Sequence, residues 1–462
     1  MDPTTLNNRI YGSLNPIENL KNRHNASQII SEALIAVDPY AAVKTALKIN
    51  GEIIEVADKT YDLNKYNNII LIAFGKASIP MSIALSELLT KKITNGIVIT
   101  KKYNNLSTPQ LSQSIRVFSG NHPIPDETNV AYTQKIIEQL NNSEKDDLVI
   151  FLISGGGSAL ITSPVEGVNI KDLQDMTELL LKAGANIYEM NILRKHLDRV
   201  KGGGIIKMAS PSTVISLILS DVVGNPLDVI ASGPTVPDPS TFLDAIEVLK
   251  KYNLEDIIPS TIRDTLYNGL KGNVVETLKD EKELLGETQN VVVGSNSIAA
   301  EAAVHSAKQL GFNTSLLTTY LEGEASEVGL IMGSLLQQIC QSGDPLYRPA
   351  CIVAGGETTV TVSGPGLGGR NTEICLGAVK KISGLMDVAL ISLATDGEDR
   401  LEKSAGAIVC GDTYKLGKSR GLDPDVYLKN NDSYTYFNNV GSILNIGSTG
   451  TNVNDLIFLF AF

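Results

Sequence analysis

Charged side chains follow several apolar segments of this chain, at points where each segment breaks into glycines. In the stretch 351–399, Glu357, Arg370 and Asp396 occupy such positions. Buried strands of an open α/β sheet end in tight turns, and ligands bind outside the carboxyl ends of those strands. Arginine binds anions, and carboxylate oxygens bind Mg²⁺. The segment therefore predicts a site for chemistry on a phosphate group.

The same segment also matches a dinucleotide-binding pattern. Gly364, Gly366 and Gly369 satisfy G-x-G-x-x-G between a strand-like TVTV and a helix-like segment, and Asp396 lies where a ribose-binding acid would lie. The alternative function is therefore an NAD(P)-dependent hydroxy-acid dehydrogenase that uses the GPGLGG turn. Against it, the turn at 356–357 has no role in a nicotinamide fingerprint.

Three loops in the first half of the chain end apolar segments in the same way. Lys76 follows NNIILIAFG, Asp221 follows TVISLILS, and the loop Ser154-Gly155-Gly156-Gly157-Ser158 follows DLVIFLI. Consecutive glycines leave backbone N–H groups free to bind an anion. A Walker A loop is excluded, because the position five before Gly75 is isoleucine. We expect the loop at 154–158 to bind substrate or phosphate, with Lys76 and Asp221 directed into a cleft.

A helix over NIYEMNILRKHLDRV adds two cations. Its apolar residues recur at three- and four-residue spacing and predict a buried face, whereas its polar residues form the other face. We expect Arg194 and Lys195 of this helix to complete the anion pocket. The four histidines of the chain form no pattern typical of a metal triad or a Ser-His-Asp arrangement.

Composition limits the class of protein. The 462 residues, 43% hydrophobic and 19% charged, are typical of a soluble chain with two or three domains. A net charge of -12 disfavours binding to nucleic acid or anionic membranes. The four cysteines form no C-x-x-C pair, and neither a membrane span nor a signal peptide is evident, so we expect a cytoplasmic protein.

Strand and helix patterns alternate along the chain. Alternation predicts the α/β class, with two α/β domains whose sheets are mainly parallel. We expect a loose N-terminal arm over 1–25, a Rossmann-like domain over 26–270 and a second α/β domain over 289–462. The last residues could return to the first domain.

Nine ordered motifs give the chain a resemblance to a known family. They are AFGKAS, GNHPIPD, SGGGSAL, NILRKHLDRVKGG, LSDVVGNPLDVIASGPTVPD, GGETTV, GPGLGGRNTE, ATDGED and GSTGTNVNDL. In this order they resemble the motifs of type II glycerate kinases, whose C-terminal portion is called the MOFRL domain. The sequence differs from the family's motifs at Arg400, where the family usually has glycine, and at GST, where GPT is usual.

The resemblance implies transfer of a phosphoryl group from ATP to D-glycerate, giving 2-phosphoglycerate, in a cleft between two α/β domains. It implies Mg²⁺ or another divalent metal, for which Glu357 and Asp396 are the candidate ligands. Either Asp221 or Asp396 could be the base, and a homodimer is left open. The implied catalytic residues are Lys76, Asp221, Arg370 and Asp396. The expected nucleotide-binding residues are Glu357, Gly366, Gly368, Gly369, Asn371, Asn452 and Asn454.

Overall fold

The computed structural model describes residues 2–101, 111–401 and 403–462. The helices are α1 Pro3–Ser13, α2 Leu20–Ile35, α3 Pro39–Ala46, α4 Ser78–Leu89, α5 Glu127–Asn141, α6 Gly157–Leu160, α7 Ile170–Ala183, α8 Ile187–Leu197, α9 Gly204–Ala209, α10 Phe242–Lys251, α11 Ser260–Leu270, α12 Asn296–Gln309, α13 Ala325–Ser342, α14 Arg370–Ala378, α15 Thr413–Ser419, α16 Pro424–Lys429 and α17 Ser433–Val440. Within the described ranges, none of the helices has the length and apolar character needed to cross a membrane.

The strands fall into three sheets. They are β1 Leu47–Asn50, β2 Ile53–Val56, β3 Lys59–Asp62, β4 Asn68–Phe74, β5 Asn95–Lys101, β6 Ile115–Gly120, β7 Asp147–Ser154, β8 Thr213–Leu219, β9 Thr288–Gly294, β10 Asn313–Leu321, β11 Ala350–Gly356, β12 Val388–Ala394, β13 Gly406–Cys410, β14 Ile443–Leu444 and β15 Asp455–Ala461. The chain divides into two compact units, one formed by Pro39–Val293 and the other by Met1–Asp38 with Gly294–Phe462. We call them unit A and unit B respectively.

The main sheet of unit A has the strand order β6-β5-β4-β7-β8-β9. The neighbours from β6 to β8 all pair in parallel, as the alternation of strand and helix predicts. Every residue of β7 is buried, which is expected for a central strand covered on both faces. Parallel order brings the ends of β4, β7 and β8 side by side at one edge of the sheet. Unit A also contains a small antiparallel sheet, β1-β2-β3.

The sheet of unit B has the order β10-β11-β15-β12-β13-β14. The α/β class is confirmed here too, but among the described residues of this sheet only β10 and β11 pair in parallel. The reason is that the C-terminal strand β15 inserts between β11 and β12 and runs antiparallel to both. The start of β15 therefore lies at the same edge as the ends of β11 and β12. Apolar residues of α13, α14 and α17 pack on one face of this sheet.

Helices occupy the segment that the sequence analysis assigned to a loose arm. Asp2 caps α1 by accepting a hydrogen bond from the Thr5 backbone, and Pro3 occupies the first turn, where proline is well tolerated. Leu6 and Ile10 of α1 are buried. These N-terminal residues belong to unit B, so the chain begins and ends in the same unit.

Two further features of the domain prediction differ from the structure. The segment 288–294, which was expected to open the second domain, forms β9 at the edge of the sheet of unit A. The last residues form β15 in the sheet of unit B, so they do not return to the first domain. Neither pairing has a local sequence signal, because each depends on which other strands the segment pairs with in the folded chain.

Candidate active site

The carboxyl edge of the sheet in unit A brings three loops together. Lys76 lies two residues after β4, the loop 154–158 follows β7, and Asp221 lies two residues after β8. Since β7 pairs with both β4 and β8, the three loops are neighbours. The backbone N–H of Lys76 donates to the carbonyl of Gly155 at 2.9 Å. The structure thus brings together three parts of the site that the sequence predicted separately.

Side chains from the neighbouring loops lie in close contact with Gly155 and Gly156. A Cβ atom added at Gly155 would overlap the carboxylate of Asp221. A Cβ at Gly156 would lie 2.9 Å from His122 Nε2 and 3.3 Å from Lys76 Cε, and Gly156 has a φ of +80° that disfavours other residues. The positive φ disfavours other residues at Gly156, whereas a larger residue at Gly155 would displace the Asp221 side chain, so an acid, a lysine and an imidazole converge on the same short stretch of backbone.

The serines at either end of the loop hold it in place. Ser154 is buried, and its Oγ accepts a hydrogen bond from the Ala77 N–H at 3.0 Å, which ties the loop to the Lys76 turn. Ser158 Oγ lies 2.6 Å from Ser232 Oγ, and Ser232 in turn donates to Asn191 Oδ1 at 3.1 Å. Ser154 therefore fixes the geometry of the loop through its hydrogen bond to the Lys76 turn, whereas Ser158 lines the adjoining cavity.

His122 is a site residue that the sequence reasoning missed. Burial, together with the positive charges of Lys76 and Lys101, lowers the pKa of its imidazole to about 4. The ring is therefore neutral at pH 7 and can exchange hydrogen bonds without adding charge. The GNHPIPD motif carried the signal, although a lone histidine in a motif does not reveal what it faces.

A cavity of about 540 Å³ in unit A adjoins the glycine loop. Its volume is within the usual range for small-molecule sites. Polar groups and apolar side chains both line it, including His122, Gly156, Ser158, Arg194, Ile124 and Leu173. Arg194 of α8 thus lies in the same cavity as the glycine loop, as the sequence predicted.

Lys195 differs from its neighbour Arg194. Its side chain is buried, and Nζ lies 3.0 Å from Asp238 Oδ1 and 3.3 Å from Asp228 Oδ2. A buried ammonium needs such partners, because desolvation without them costs several kcal/mol. These ion pairs favour a structural role for Lys195, in which it holds α8 against the 228–238 segment, over the predicted contact with substrate or phosphate.

In unit B, the ends of β11 and β12 carry Glu357 and Asp396, with the start of β15 between them. Adjacent strands lie about 4.8 Å apart, so these two strand ends are separated by roughly 10 Å. Asp396 is half-buried and accepts the Glu398 N–H at 3.0 Å. The sheet therefore places both acids at one edge without making them direct neighbours.

Arg370 joins the first of these strand ends to the start of β15. Its Nη1 donates to Glu357 Oε1 at 2.6 Å, and its Nε lies 2.5 Å from Asp455 Oδ2. Burial raises the pKa of Asp455 to about 7, although the guanidinium opposes that shift. Sequence reasoning identified Arg370 and missed Asp455, because the aspartate begins an otherwise apolar strand and resembles a turn residue.

Asn371 and Asp399 complete a buried polar network. Asn371 is fully buried, donates to Asp455 Oδ1 at 2.9 Å and accepts from Ser392 Oγ at 2.6 Å. Asp399 accepts from the N–H groups of Asn371 and Thr372 at 3.0 and 2.8 Å, so it caps the start of α14. These bonds favour a structural role for Asn371 over the predicted nucleotide contact.

The predicted nucleotide glycines pack against their own unit. A Cβ at Gly366 or Gly368 would overlap residues 430–433, and one at Gly369 would overlap Asp399. The TVTV segment before them forms only an isolated bridge at Thr359, not the strand that a dinucleotide fingerprint requires. Close packing thus accounts for the glycine pattern, and the dehydrogenase alternative is not favoured.

Asn452 and Asn454 lie just before β15. The Asn454 carbonyl accepts from Thr395 N at 3.0 Å, and the Asn454 N–H donates to Asn452 Oδ1 at 3.1 Å. The segment is therefore joined to the loop that carries Asp396. Asn452 is half-buried and Asn454 is buried, with a φ of +65° that asparagine tolerates better than most residues.

The carboxylates of unit B can be tested against the expected metal. Across the described ranges, no group of three His, Cys, Asp or Glu side chains could hold an ion by itself. Mg²⁺, however, is commonly held by one or two carboxylates together with substrate phosphates. Asp396 fits that mode, whereas Glu357 is already paired with Arg370.

Comparisons with known proteins extend this description. Residues 25–267 match the family described as Domain of unknown function (DUF4147), and residues 350–455 match the MOFRL family. The chain is 42% identical to the glycerate 2-kinase of Pyrococcus horikoshii, over 93% of this chain and 95% of the relative. It is 40% identical to the D-glycerate 2-kinase of Thermotoga maritima, over 94% of this chain and 96% of the relative.

A crystal structure of glycerate kinase from Thermotoga maritima matches with a TM-score of 0.83 at 38% identity, covering 95% of this chain and 99% of that chain. The fold and the charged residues that follow its strands together define a class of α/β enzymes. In this class, charged groups lie around glycine loops at the ends of the strands. Within that class, the chain belongs to the type II glycerate kinase family, of which the MOFRL region is the C-terminal part.

Proposed function

We propose that the protein transfers the γ-phosphoryl group of ATP to D-glycerate and releases 2-phosphoglycerate. Membership of the glycerate kinase family supports the substrate and the reaction class. The structural observation that carries the proposal is the convergence of Lys76 and Asp221 on Gly155 and Gly156. Phosphoryl transfer depends mainly on positioning and on neutralising charge, and this arrangement supplies backbone donors, a cation and an acid.

Within unit A, we assign separate roles to the two charged groups. Lys76 neutralises negative charge on the transferring group, since its stem lies close to Gly156. Asp221 orients or deprotonates the acceptor hydroxyl. Asp396 remains the other candidate base, because it too lies at the carboxyl end of a buried strand.

Within unit B, we assign nucleotide binding to the edge formed by β11, β12 and the start of β15. Asp396 would hold a divalent metal together with phosphate oxygens, a mode that its half-buried carboxylate fits. Arg370 would contact a phosphate through the donors that Glu357 and Asp455 leave free. Asn452, Asn454 and the 366–369 loop would contact the rest of the nucleotide.

An initial-rate assay tests the proposal against the alternative. The purified protein is mixed with ATP, MgCl₂ and D-glycerate, and ADP release is measured. We expect ADP to form only when D-glycerate is present. A parallel assay follows NADH or NADPH oxidation with hydroxypyruvate. Oxidation of either nucleotide without glycerate-dependent ADP release would replace the kinase with the dehydrogenase.

A further inference from the structure

The cavity in unit A contains three carboxylates, and each already has a lysine partner. Lys171 Nζ lies 2.5 Å from Asp175 Oδ1, Lys182 Nζ lies 2.6 Å from Glu178 Oε1, and Lys201 Nζ lies 2.5 Å from Asp198 Oδ2. The three acids line the cavity, so their charges are neutralised from within the unit. None of them is left to pair with the remaining cation of the cavity, which is Arg194.

Arg194 has no such partner. In the part of the chain that the structure describes, no carboxylate oxygen lies within 4.0 Å of its guanidinium. Arg194 is partly buried, and this burial lowers the pKa of its guanidinium. Arginine stays protonated in proteins, so Arg194 keeps its positive charge and is, within the described chain, the one lining cation without a carboxylate at ion-pair distance. A partly desolvated cation without an ion-pair partner is stabilised by an anionic ligand.

The groups around Arg194 indicate the kind of anion. The guanidinium fork matches a planar carboxylate, and one positive charge matches a monoanion better than the several charges of a nucleotide triphosphate. Ser158 and the neutral imidazole of His122 also line the cavity and can hydrogen-bond hydroxyl groups. An anion with a planar head and adjacent hydroxyls fits this set.

We propose that Arg194 binds the carboxylate of the acceptor and so makes the unit A cavity selective for hydroxy acids over polyols. The proposal rests on the proposed function for the identity of the acceptor, D-glycerate. It places the carboxylate at Arg194, beside the glycine loop, and leaves the hydroxyl groups toward Ser158 and His122.

Binding measurements on variants test this assignment. Arg194→Met removes the charge and keeps much of the side-chain volume, Arg194→Lys keeps the charge and removes the fork, and Arg116→Met is the matched control. Arg116 is exposed on β6 of the same unit. Binding of D-glycerate, glycerol and MgADP to each protein is measured by calorimetry, and thermal unfolding confirms that each variant is folded.

We expect Arg194→Met to weaken D-glycerate binding on the order of a hundredfold, as loss of a charge-assisted hydrogen bond implies. Arg194→Lys should bind with intermediate affinity. Glycerol and MgADP binding should be unchanged in all variants, and Arg116→Met should match the wild type. Weaker MgADP binding with unchanged D-glycerate binding would overturn the proposal and assign Arg194 to a nucleotide phosphate.

The same proteins separate this proposal from the kinase assignment. If D-glycerate binds through Arg194 but the wild type forms no ADP, the carboxylate site stands and the proposed reaction fails. If the wild type phosphorylates D-glycerate and folded Arg194→Met retains the wild-type KM for it, the reaction stands and the carboxylate site fails. Absence of any D-glycerate binding to the wild type would overturn both.

Discussion

A single added atom, the Cβ of alanine at Gly155, would change the geometry of the proposed site. The φ of Gly155 is not in the left-handed region, so alanine is compatible with the backbone, but the added Cβ would overlap the Asp221 carboxylate. We expect Gly155→Ala to displace Asp221 and to lower kcat on the order of a hundredfold, the scale that a misplacement of about 1 Å causes. Steady-state kinetics with D-glycerate measures the effect.

Gly12→Ala provides the control for that substitution. No atom lies within 4 Å of a Cβ at Gly12, which is in the helix α1. Its kcat should equal that of the wild type. A Gly155→Ala variant that keeps full activity would show that the position of Asp221 is unimportant for turnover.

Arg370 combines a candidate catalytic role with two ion pairs, one of them to the buried Asp455. From the sequence alone, a lysine substitution at this turn would be expected to change activity and leave stability unaltered. The structure predicts that Arg370→Lys changes both, because lysine cannot reach Glu357 and Asp455 with a planar fork. We expect the free energy of unfolding to fall by about 1–3 kcal/mol and kcat/KM to fall on the order of a hundredfold.

Chemical denaturation and kinetics on one preparation of Arg370→Lys measure both quantities. Arg400→Lys is the control, since Arg400 is exposed and its guanidinium makes a single 3.5 Å contact, with the Gly368 carbonyl. Loss of stability with retained turnover in the folded protein would remove Arg370 from the active site. Loss of turnover alone would show that its ion pairs contribute little.

Glu373 predicts a pH dependence of stability. Burial raises the pKa of its carboxyl to about 7 from an ordinary value of 4.5. Between pH 4.5 and 7 the folded state therefore binds a proton that the unfolded state has released, so stability falls as pH rises through this window. In the wild type, Glu373 should lower the free energy of unfolding by up to about 3 kcal/mol between pH 4.5 and pH 8, and Glu373→Gln should abolish this contribution.

Urea unfolding at both pH values tests this prediction. Asp455 has a raised pKa as well, so the variant should retain part of the pH dependence. Glu327→Gln, which alters an exposed glutamate, should follow the wild type at both values. Equal pH dependence in Glu373→Gln and the wild type would show that Glu373 is ionised throughout the window.

At the scale of elements, the first helix tests how much the N-terminal segment contributes. Leu6, Ile10 and Leu14 recur at four-residue spacing and are all buried, so α1 and its C-cap supply a continuous apolar stripe to unit B. We expect Ile10→Ala to lower the free energy of unfolding by about 2–4 kcal/mol, as for other large-to-small core changes. Thermal or urea unfolding measures the change.

Leu20→Ala is the control for the helix. Leu20 is 66% exposed at the start of α2, so its truncation should alter stability by less than about 0.5 kcal/mol. If Ile10→Ala were equally neutral, the first helix would be dispensable for folding, as a loose arm would be.

The first helix also shows where sequence reasoning fails. The asparagines between its apolar positions lower the mean hydropathy and suggest a disordered arm, whereas the four-residue spacing of Leu6, Ile10 and Leu14 was the informative signal. By contrast, β4, β7 and β8 were predicted almost to the residue. Each strand has seven or eight residues, most of them apolar, a pattern typical of a central parallel strand.

At the scale of the whole molecule, the sequence predicted the α/β class and the family but not the assignment of every segment to a unit. The parallel pairing within unit A follows from the alternation of strands and helices, but the strand order does not, since the neighbours β4 and β7 are separated along the chain by β5 and β6. The return of α1 and α2 to unit B depends on contacts between the two ends of the chain, such as Ser13 Oγ with the Asn445 carbonyl at 3.0 Å. No local pattern encodes a contact over that sequence distance.

For the candidate site too, some residues could be predicted from local sequence and others could not. The sequence predicted roles for Lys76, Arg370 and Asp396 because charged residues at glycine-containing turns stand out against apolar surroundings. Asp399 and Asp455 were missed because their roles depend on burial and on donors from α14, which only the folded chain brings together. Buried carboxylates of this kind cannot be told from turn residues in a single sequence.

The identity of the product tests the central claim most directly. The purified protein is incubated with ATP, MgCl₂ and D-glycerate, and the phosphoester is identified by phosphorus NMR with authentic standards. We predict the signal of 2-phosphoglycerate, which requires transfer to the 2-hydroxyl. A signal of 3-phosphoglycerate would keep the kinase class but contradict the assigned regiochemistry, and absence of any glycerate phosphoester would contradict the proposed function.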